Sequence, residues 1–349
     1  MNATPPLTDH PGSRGPLRAA GLQISVSGLT KRFGTLTAVD HLEFTVEPGR
    51  VTGFLGPNGA GKTTTLRMLL GLVRPTAGTA TIGGHPYQAL AHPLQTVGAA
   101  LEATNFHPGR SGRDHLRVLT AAGGIPDRRA DELLDLVGLA EAGRKRAGGY
   151  SMGMRQRLGL AAALLGDPQV LLLDEPANGL DPEGIRWLRE FLRVLAGQGK
   201  TVLVSSHMLS EVEQTVDDVV IIAQGRKVAQ GPIATLRGEP TVFVRAADLP
   251  ALGSALVAGG IVGEARDGGL LVRCPDPVRV GELAFRAGIP VHELRTQASD
   301  LEDLFFRLTQ GQGLTPGGTP HPAPGSATGA DLPAPTGALP SAPIEGGQA

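Results

Sequence analysis

Gly56-Pro57-Asn58-Gly59-Ala60-Gly61-Lys62-Thr63-Thr64 is the stretch that decides how this chain folds. It matches the phosphate-loop pattern G-x-x-x-x-G-K-[ST] at every fixed position. The apolar residues 51–55 precede it and the helical pattern of residues 65–72 follows it. A buried strand, a glycine-rich turn and a helix thus come in the order that the motif requires. The stretch predicts a nucleoside triphosphate site, and its strand and helix context argues against the alternative of a glycine-rich hairpin turn.

The residue types in this loop suit a polyphosphate. Glycines let the backbone pass close to the β- and γ-phosphates, where side chains would collide with them. Successive N–H groups and the positive end of the following helix then point at the anion. Lys62 adds a mobile positive charge, Thr63 is placed to hold Mg²⁺, and Thr64 can reach the α-phosphate. All nine residues from Gly56 to Thr64 are therefore candidate contacts to the nucleotide and its metal.

The composition limits the class of protein. A chain of 349 residues has room for about two domains, and a hydrophobic content of 41% is enough for a real core. The net charge of -1 gives no reason to expect nucleic acid as a partner. Cys274 is the single cysteine, which fits a reducing compartment. Neither a secretory signal nor a run of eighteen apolar residues is seen, so any role at a membrane is expected to need a partner.

The chain around the loop predicts a mixed sheet. Residues 22–26, 29–34 and 42–46 indicate antiparallel strands, and residues 76–84 indicate a strand with a tight turn. Residues 97–113 are rich in loop formers, and a helical pattern follows to Leu139. A mostly helical insertion, about residues 98–168, is therefore expected between the phosphate loop and the next chemical groups.

Two acids follow a second buried strand. Residues 170–173 are apolar on both faces, as in a parallel strand, and lead into Asp174-Glu175. Open α/β sheets bind ligands at the carboxyl ends of their strands. Asp174 is expected to hold Mg²⁺ through water, and Glu175 can orient and deprotonate the attacking water. The alternative for adjacent acids is an exposed turn.

Two further polar positions are ambiguous on local sequence alone. His207 follows the apolar strand 202–204, but a lone histidine is usually a structural or surface residue. Ser151 is well placed as the N-cap of a helix that runs to about Leu165. Together with Gly153 it could form a second phosphate site at a helix N-terminus. An ordinary capped helix has the same local pattern.

The composition changes at residues 238–240, which we take as a domain boundary. The segments beyond it predict, in order, strand 241–245, helix 249–258, strand 261–265, strand 269–273, helix 278–287 and strand 289–295. This β-α-β-β-α-β order indicates a small α+β ferredoxin-like domain over residues 240–310, with a short helix at 301–308. Residues 1–20 are expected to be a disordered lead-in, residues 21–237 the main domain, and residues 311–349 a disordered Pro/Gly-rich tail.

One family combines these motifs in this order. The phosphate loop, the segment Ser151-Met152-Gly153-Met154-Arg155-Gln156, the strand ending in Asp174-Glu175, the turn 178–181 and the strand-end His207 resemble the nucleotide-binding subunit of ATP-binding cassette (ABC) transporters. The resemblance covers about residues 22–235. It implies a phosphate-loop NTPase cassette with a parallel-sheet core, an antiparallel β subdomain and a helical subdomain.

The resemblance also implies roles for single residues. Glu175 would be the general base and His207 would contact the γ-phosphate. Phe33, in Lys-Arg-Phe-Gly, matches the aromatic residue that stacks on adenine, although a single Phe is more often part of a core. Asp181 would lie among the nucleotide-binding residues. Glu102 stands where most relatives carry a Gln that senses Mg²⁺; an acid could still bind Mg²⁺ or its water, but it adds charge beside the phosphates.

The family further implies a dimer. Two subunits, identical or related, face head to tail, and Ser151 and Gly153 of one point at the γ-phosphate held by the other. Here the motif reads Tyr-Ser-Met-Gly-Met rather than the commonest Leu-Ser-Gly-Gly-Gln. The Ser and the Gly that approach phosphate are kept, whereas Met154 replaces the final Gln.

Three functions are consistent with these observations. The first is an ATPase subunit, peripheral on the cytoplasmic face of the cell membrane, that drives an exporter with separate membrane permease subunits. The loop 106–112 is similar to that of bacitracin and lantibiotic self-protection exporters. The second is a soluble ABC protein of ribosomes or DNA, which the single phosphate loop and the lack of a heptad run disfavour. The third, suggested by Glu102 and Met154, is a catalytically weak regulator.

Overall fold

The computed structural model describes residues 21–101, 106–208, 214–236, 241–274 and 276–297. Glu102, the expected helix 301–308 and both expected disordered ends lie outside these residues. No helix within the described ranges combines the length and the apolar character needed to cross a bilayer.

The described residues form thirteen strands and nine α-helices. The strands are β1 (Ile24–Phe33), β2 (Leu36–Val46), β3 (Val51–Leu55), β4 (Ala77–Ile82), β5 (Val97–Ala100), β6 (Val170–Asp174), β7 (Thr201–Ser206), β8 (Asp218–Ala223), β9 (Arg226–Pro232), β10 (Thr241–Ala246), β11 (Gly263–Arg266), β12 (Gly269–Val272) and β13 (Val291–Gln297). The helices are α1 (Lys62–Leu69), α2 (Pro93–Thr96), α3 (Gly112–Gly123), α4 (Arg128–Leu136), α5 (Met152–Ala163), α6 (Pro182–Gly197), α7 (Ile233–Leu236), α8 (Leu249–Ala258) and α9 (Pro277–Arg286).

A six-stranded sheet in the order β5-β6-β7-β3-β8-β9 forms the centre of the molecule. All its neighbouring strands are parallel except β8 and β9, which form a hairpin. Leu171 and Leu173 pack with Phe191 of α6 on one face, whereas Leu172 packs with Leu66 of α1 on the other. Both faces are therefore covered, which explains the continuous apolar runs in these strands and confirms the predicted parallel core.

A three-stranded antiparallel sheet, β2-β1-β4, packs against the α1 side of the core. The sequence suggested separate strands at 22–26 and 29–34, but β1 runs through both. The pairing register shifts between Val26 and Leu29, where Gly28 has a φ of 57°. Such a bulge lets one strand accommodate an extra residue and continue in the sheet.

The expectation of a loop from residue 97, with a helical subdomain from about 98, is wrong in its first residues. Val97–Ala100 form β5 and pair with β6 in parallel. At Gly98, a Cβ atom would lie 2.0 Å from the carbonyl oxygen of Ala163, so α5 lies directly on this strand. Four small residues carry little strand signal. The helices α3, α4 and α5 follow β5 and share a core through Leu116, Leu133 and Leu158.

Beyond residue 240 a third sheet, of four strands, forms. Its strands follow the order β11-β12-β10-β13 and are all antiparallel. The elements come in the β-α-β-β-α-β order expected from the sequence, with strand bounds shifted by up to two residues. The helices α8 and α9 pack on one face, and the buried residues of this unit make a hydrophobic core of their own.

We expect Leu172→Ala to lower the free energy of unfolding by about 2–5 kcal/mol, because it leaves a cavity in the middle of the sheet. Leu172 is 0% exposed. The measurement is urea unfolding followed by the fluorescence of Trp187, the single tryptophan, which is buried. Leu72→Ala is the control, since Leu72 is 68% exposed and its truncation should change stability by less than about 0.5 kcal/mol. Equal losses in the two variants would contradict this assignment of the core.

Candidate active site

The phosphate loop joins the end of β3 to the first residue of α1. Gly61 has a φ of 103°, and a Cβ atom there would lie 2.6 Å from the carbonyl oxygen of Ala38 in β2. At Gly56 a Cβ atom would lie 2.4 Å from the carbonyl oxygen of Ile222 in β8. Both positions therefore require glycine, because the loop is wedged between neighbouring strands.

Lys62 is almost fully buried, with 6% of its surface exposed. Its ammonium group donates to the carbonyl oxygens of Gly56 (2.8 Å) and Pro57 (3.3 Å). It also lies 3.3 Å from Oε1 of Glu175. The first turn of α1 contains no acidic residue, so no carboxylate of the helix itself opposes the binding of an anion at its positive end.

Asp174 lies at the end of β6, beside the phosphate loop. Its Oδ2 accepts a hydrogen bond of 2.7 Å from Oγ1 of Thr63, and its Oδ1 accepts one from the hydroxyl of Ser205. The structure thus brings together two of the three residues predicted to hold Mg²⁺, and the third, Glu102, lies outside the described residues. Among the described residues, no group of three or more His, Cys, Asp or Glu side chains could hold a metal. A hydroxyl and a single carboxylate suit Mg²⁺, which takes its other oxygen ligands from water and phosphates.

Glu175 lies between the phosphate loop and β7. Its Oε2 is 2.7 Å from Nδ1 of His207, and its Oε1 faces Lys62. The residue is half-buried and has a φ of 49°. The alternative of an exposed acidic turn is therefore wrong. Three residues far apart in the sequence converge at one edge of the sheet, where a base, an ammonium group and an imidazole can act on one substrate.

Phe33 is 49% exposed at the end of β1, so it is not a core residue. The ammonium group of Lys31 lies 4.8 Å from the centroid of its ring. The β1–β2 hairpin reaches the phosphate loop through the close approach of Ala38 to Gly61. This position is compatible with a ring that stacks on a base while the phosphates occupy the loop.

Ser151 caps α5, and its Oγ accepts a hydrogen bond of 3.2 Å from the N–H of Met154. Ser151 and Gly153 line a cavity of about 1020 Å³ together with Gly179 and Asp181. None of residues 56–64 lines this cavity, so the structure does not bring the serine-led helix to the phosphate loop of the same chain. Met154, which replaces the usual Gln, packs partly buried against the core.

Tyr150 directly precedes Ser151, the N-cap of α5, and holds the start of this helix in place. Its hydroxyl donates to the carbonyl oxygen of Ala142 at 2.7 Å, and burial raises the pKa of the phenol. The tyrosine therefore stays neutral and holds the turn before Ser151 in place.

Asp181 has a structural task that the sequence did not indicate. Its Oδ1 accepts a hydrogen bond of 2.7 Å from the N–H of Gly184 and so caps α6. The helix begins at Pro182, because the cap and the proline initiate it there. Asp181 remains on the wall of the cavity that contains Ser151.

Ser205 was missed by the sequence analysis. It is fully buried at the end of β7, where it contacts both Asp174 and the backbone of Glu175. The only available signal was its position in an apolar strand two residues before His207, which gives no role by itself.

Two family models match parts of this chain. The family described as ABC transporter matches residues 39–178, and a domain of unknown function matches residues 240–302. The bacitracin transport ATP-binding protein BcrA of Bacillus licheniformis is 44% identical over 217 residues, which cover 61% of this chain and 71% of that protein. The Nod factor export ATP-binding protein I of Ralstonia nicotianae is 37% identical over 300 residues, 82% of this chain and 93% of that protein.

Among solved structures, an ATP binding subunit of an ABC transporter is 28% identical, with a TM-score of 0.56, and the match covers 61% of this chain and 91% of that one. The parallel core with its flanking antiparallel sheet is therefore the cassette fold that the sequence predicted. Sequence identity, coverage and fold all lead to the same conclusion: this chain belongs to the ATP-binding subunits of ABC transporters, a family that binds and hydrolyses ATP.

Proposed function

We propose that this chain is the ATPase subunit of an exporter whose membrane permease subunits are separate chains. The observation that carries the catalytic part is the convergence of Lys62, Asp174, Glu175 and His207 at the carboxyl edge of the central sheet. The export part is supported by the functions for which the two relatives above are named, bacitracin transport and Nod factor export. The subunit would then work peripherally at the cytoplasmic face of the cell membrane.

The geometry supports a separate role for each of these residues. The loop N–H groups and Lys62 would bind the β- and γ-phosphates, and Phe33 would stack on adenine. Thr63 and Asp174 would hold Mg²⁺, which supplies charge neutralisation at the phosphate oxygens when bound. Glu175 would take a proton from water, which attacks the γ-phosphorus and releases ADP and phosphate. His207, bonded to the same carboxylate, would orient this base and contact the γ-phosphate.

The site is proposed to be completed by a second subunit. Ser151 and Gly153 lie at a helix N-terminus whose first turn carries no acidic residue, and they line an open cavity apart from the phosphate loop. Such a terminus favours an anion. Two copies facing head to tail, or this chain with a related subunit, would place each Ser151 helix against the triphosphate bound by the other.

The alternatives have less support. A soluble ABC protein of ribosomes or DNA finds no counterpart in the transport functions of the two relatives. A catalytically weak regulator would not need Glu175 held between Lys62 and His207. Glu102, the residue that suggested weak activity, lies outside the described part of the chain.

Glu175→Gln should lower kcat for ATP hydrolysis by at least about 100-fold, because the amide cannot accept the proton from water. Nucleotide affinity should change by less than about threefold, since the amide keeps the shape of the carboxylate. Phosphate release and equilibrium binding of a fluorescent ATP analogue measure the two effects. Glu190→Gln, on the exposed side of α6, is the matched control and should behave as wild type. Hydrolysis at the wild-type rate by Glu175→Gln would rule out this base.

In the Glu175→Gln background, ATP with Mg²⁺ should shift the chain from monomer to dimer, measured by light scattering after gel filtration. Adding Gly153→Asp should abolish the shift, because it places a carboxylate where the partner's γ-phosphate must approach. Gly197→Asp, with open space around its Cβ position at the exposed end of α6, is the control. A dimer that persists with Gly153→Asp would contradict the head-to-tail arrangement.

Affinity purification of the tagged chain from detergent-solubilised membranes of its own cells should recover a multi-spanning membrane protein, identified by mass spectrometry. Recovery should be lost when the membranes are replaced by the soluble fraction of the same cells. Purification of the chain without any membrane-embedded partner would remove the main support for a transport role.

A further inference from the structure

We propose that Ser205 is a positioning residue that links the metal-binding carboxylate of Asp174 to the backbone of the catalytic Glu175. This inference rests on the roles proposed above for those two acids. It adds a residue outside the phosphate loop, the serine-led segment and the strand-end histidine. Ser205 does not face the substrate; it acts through the two residues that do.

The strand register places Ser205 where it can act. In the parallel pairing of β6 with β7, Ser205 lies opposite Asp174, and in the pairing of β3 with β7 it lies opposite Phe54. Paired residues on neighbouring strands direct their side chains to the same face of the sheet. Ser205 is 0% exposed. Its hydroxyl is thus held in a dry position one strand away from the metal-binding acid.

The hydroxyl of Ser205 takes part in two hydrogen bonds, as the donor in one and as the acceptor in the other. It donates to Oδ1 of Asp174 and accepts from the N–H of Glu175 at 3.0 Å. The other carboxylate oxygen of Asp174 accepts from Thr63. Both oxygens of Asp174 are therefore fixed, which sets the plane of the carboxylate before any metal binds.

The second bond matters because of the backbone at Glu175. Its φ of 49° lies in the left-handed region, which is unfavourable for a residue with a side chain. The Ser205 hydroxyl holds the N–H of this residue, and His207 holds its carboxylate at 2.7 Å. Glu175 is thus anchored at both ends, and loss of the backbone anchor would let its carboxylate move away from the attacking water.

The next residue on the strand provides a matched control. Ser206 is also buried and also a serine, but its side chain points to the opposite face. Among the residues that the structure describes, its hydroxyl bonds only to Met208, accepting from the N–H at 3.0 Å and donating to the carbonyl oxygen at 3.1 Å. If β7 simply needed a buried hydroxyl, replacing either serine by Ala would lower the rate of ATP hydrolysis. If Ser205 has the proposed positioning role, only its replacement lowers that rate.

The test compares the full-length wild type with Ser205→Ala, Ser205→Thr, Ser206→Ala and Glu175→Gln. The readouts are kcat, KM for ATP, and the Mg²⁺ concentration for half-maximal hydrolysis, with Mg²⁺-free ATP binding and Trp187 fluorescence as checks on the fold. Ser205→Ala should lower kcat by about 10- to 100-fold and raise the Mg²⁺ requirement about fivefold or more. Its Mg²⁺-free ATP affinity should stay within about twofold of wild type. Ser205→Thr should restore most of the activity, and Ser206→Ala should match wild type.

Several results would overturn the inference. They are a wild-type kcat and Mg²⁺ requirement in Ser205→Ala, an equal loss of activity in Ser206→Ala, or a folded Ser205→Thr as impaired as Ser205→Ala. Should Ser205→Thr not fold because of its extra methyl group, the Mg²⁺ titration of Ser205→Ala decides alone. Wild-type activity in Glu175→Gln would instead overturn the proposed function itself, so the two failures are distinguishable.

Discussion

The parallel pairing of β6 with β7, and of β7 with β3, is the constraint on which the rest of the site depends. It brings the phosphate loop, the two acids and His207 to one edge of the sheet, although Thr63 of the loop and Asp174 are 111 residues apart along the chain. Both faces of these strands are buried, so a slip in register would expose apolar side chains and separate the polar ones at the strand ends. The hydrophobic core therefore fixes the positions of the groups that we propose to be catalytic.

Each charged side chain at this edge has polar partners within the protein. A buried ammonium group without partners would be strongly destabilising, but Lys62 has two loop carbonyl oxygens and the carboxylate of Glu175. Glu175 in turn has His207, and Asp174 has Thr63 and Ser205. These partners pre-organise the site, because each side chain is held by a hydrogen bond or an ion pair to a neighbouring group. The groups that would meet a γ-phosphate from the other side, Ser151 and Gly153, are held apart on a different helix.

The described residues form three separate hydrophobic cores. Two cores cover the faces of the central sheet, and a third lies wholly between β10–β13 and the helices α8 and α9. The helical segment α3–α5 shares its core with the face of the sheet that carries α6. The serine-led helix is thus attached by apolar packing to the strand that ends in the two acids.

The sequence by itself determined the phosphate loop, the parallel core, the capped helix at Ser151 and the pair Asp174-Glu175, because each depends on spacing within a few residues or on an unbroken apolar run. It missed β5, whose four small residues become a strand only because α5 and β6 pack on them. It also gave no role to Ser205 or to the cap made by Asp181. Only the tertiary structure decided the positions of β5 and Ser205 and the cap made by Asp181. It also decided the convergence of Lys62, Glu175 and His207, because a hydrogen bond between distant residues depends on strand register and leaves no local pattern in the sequence.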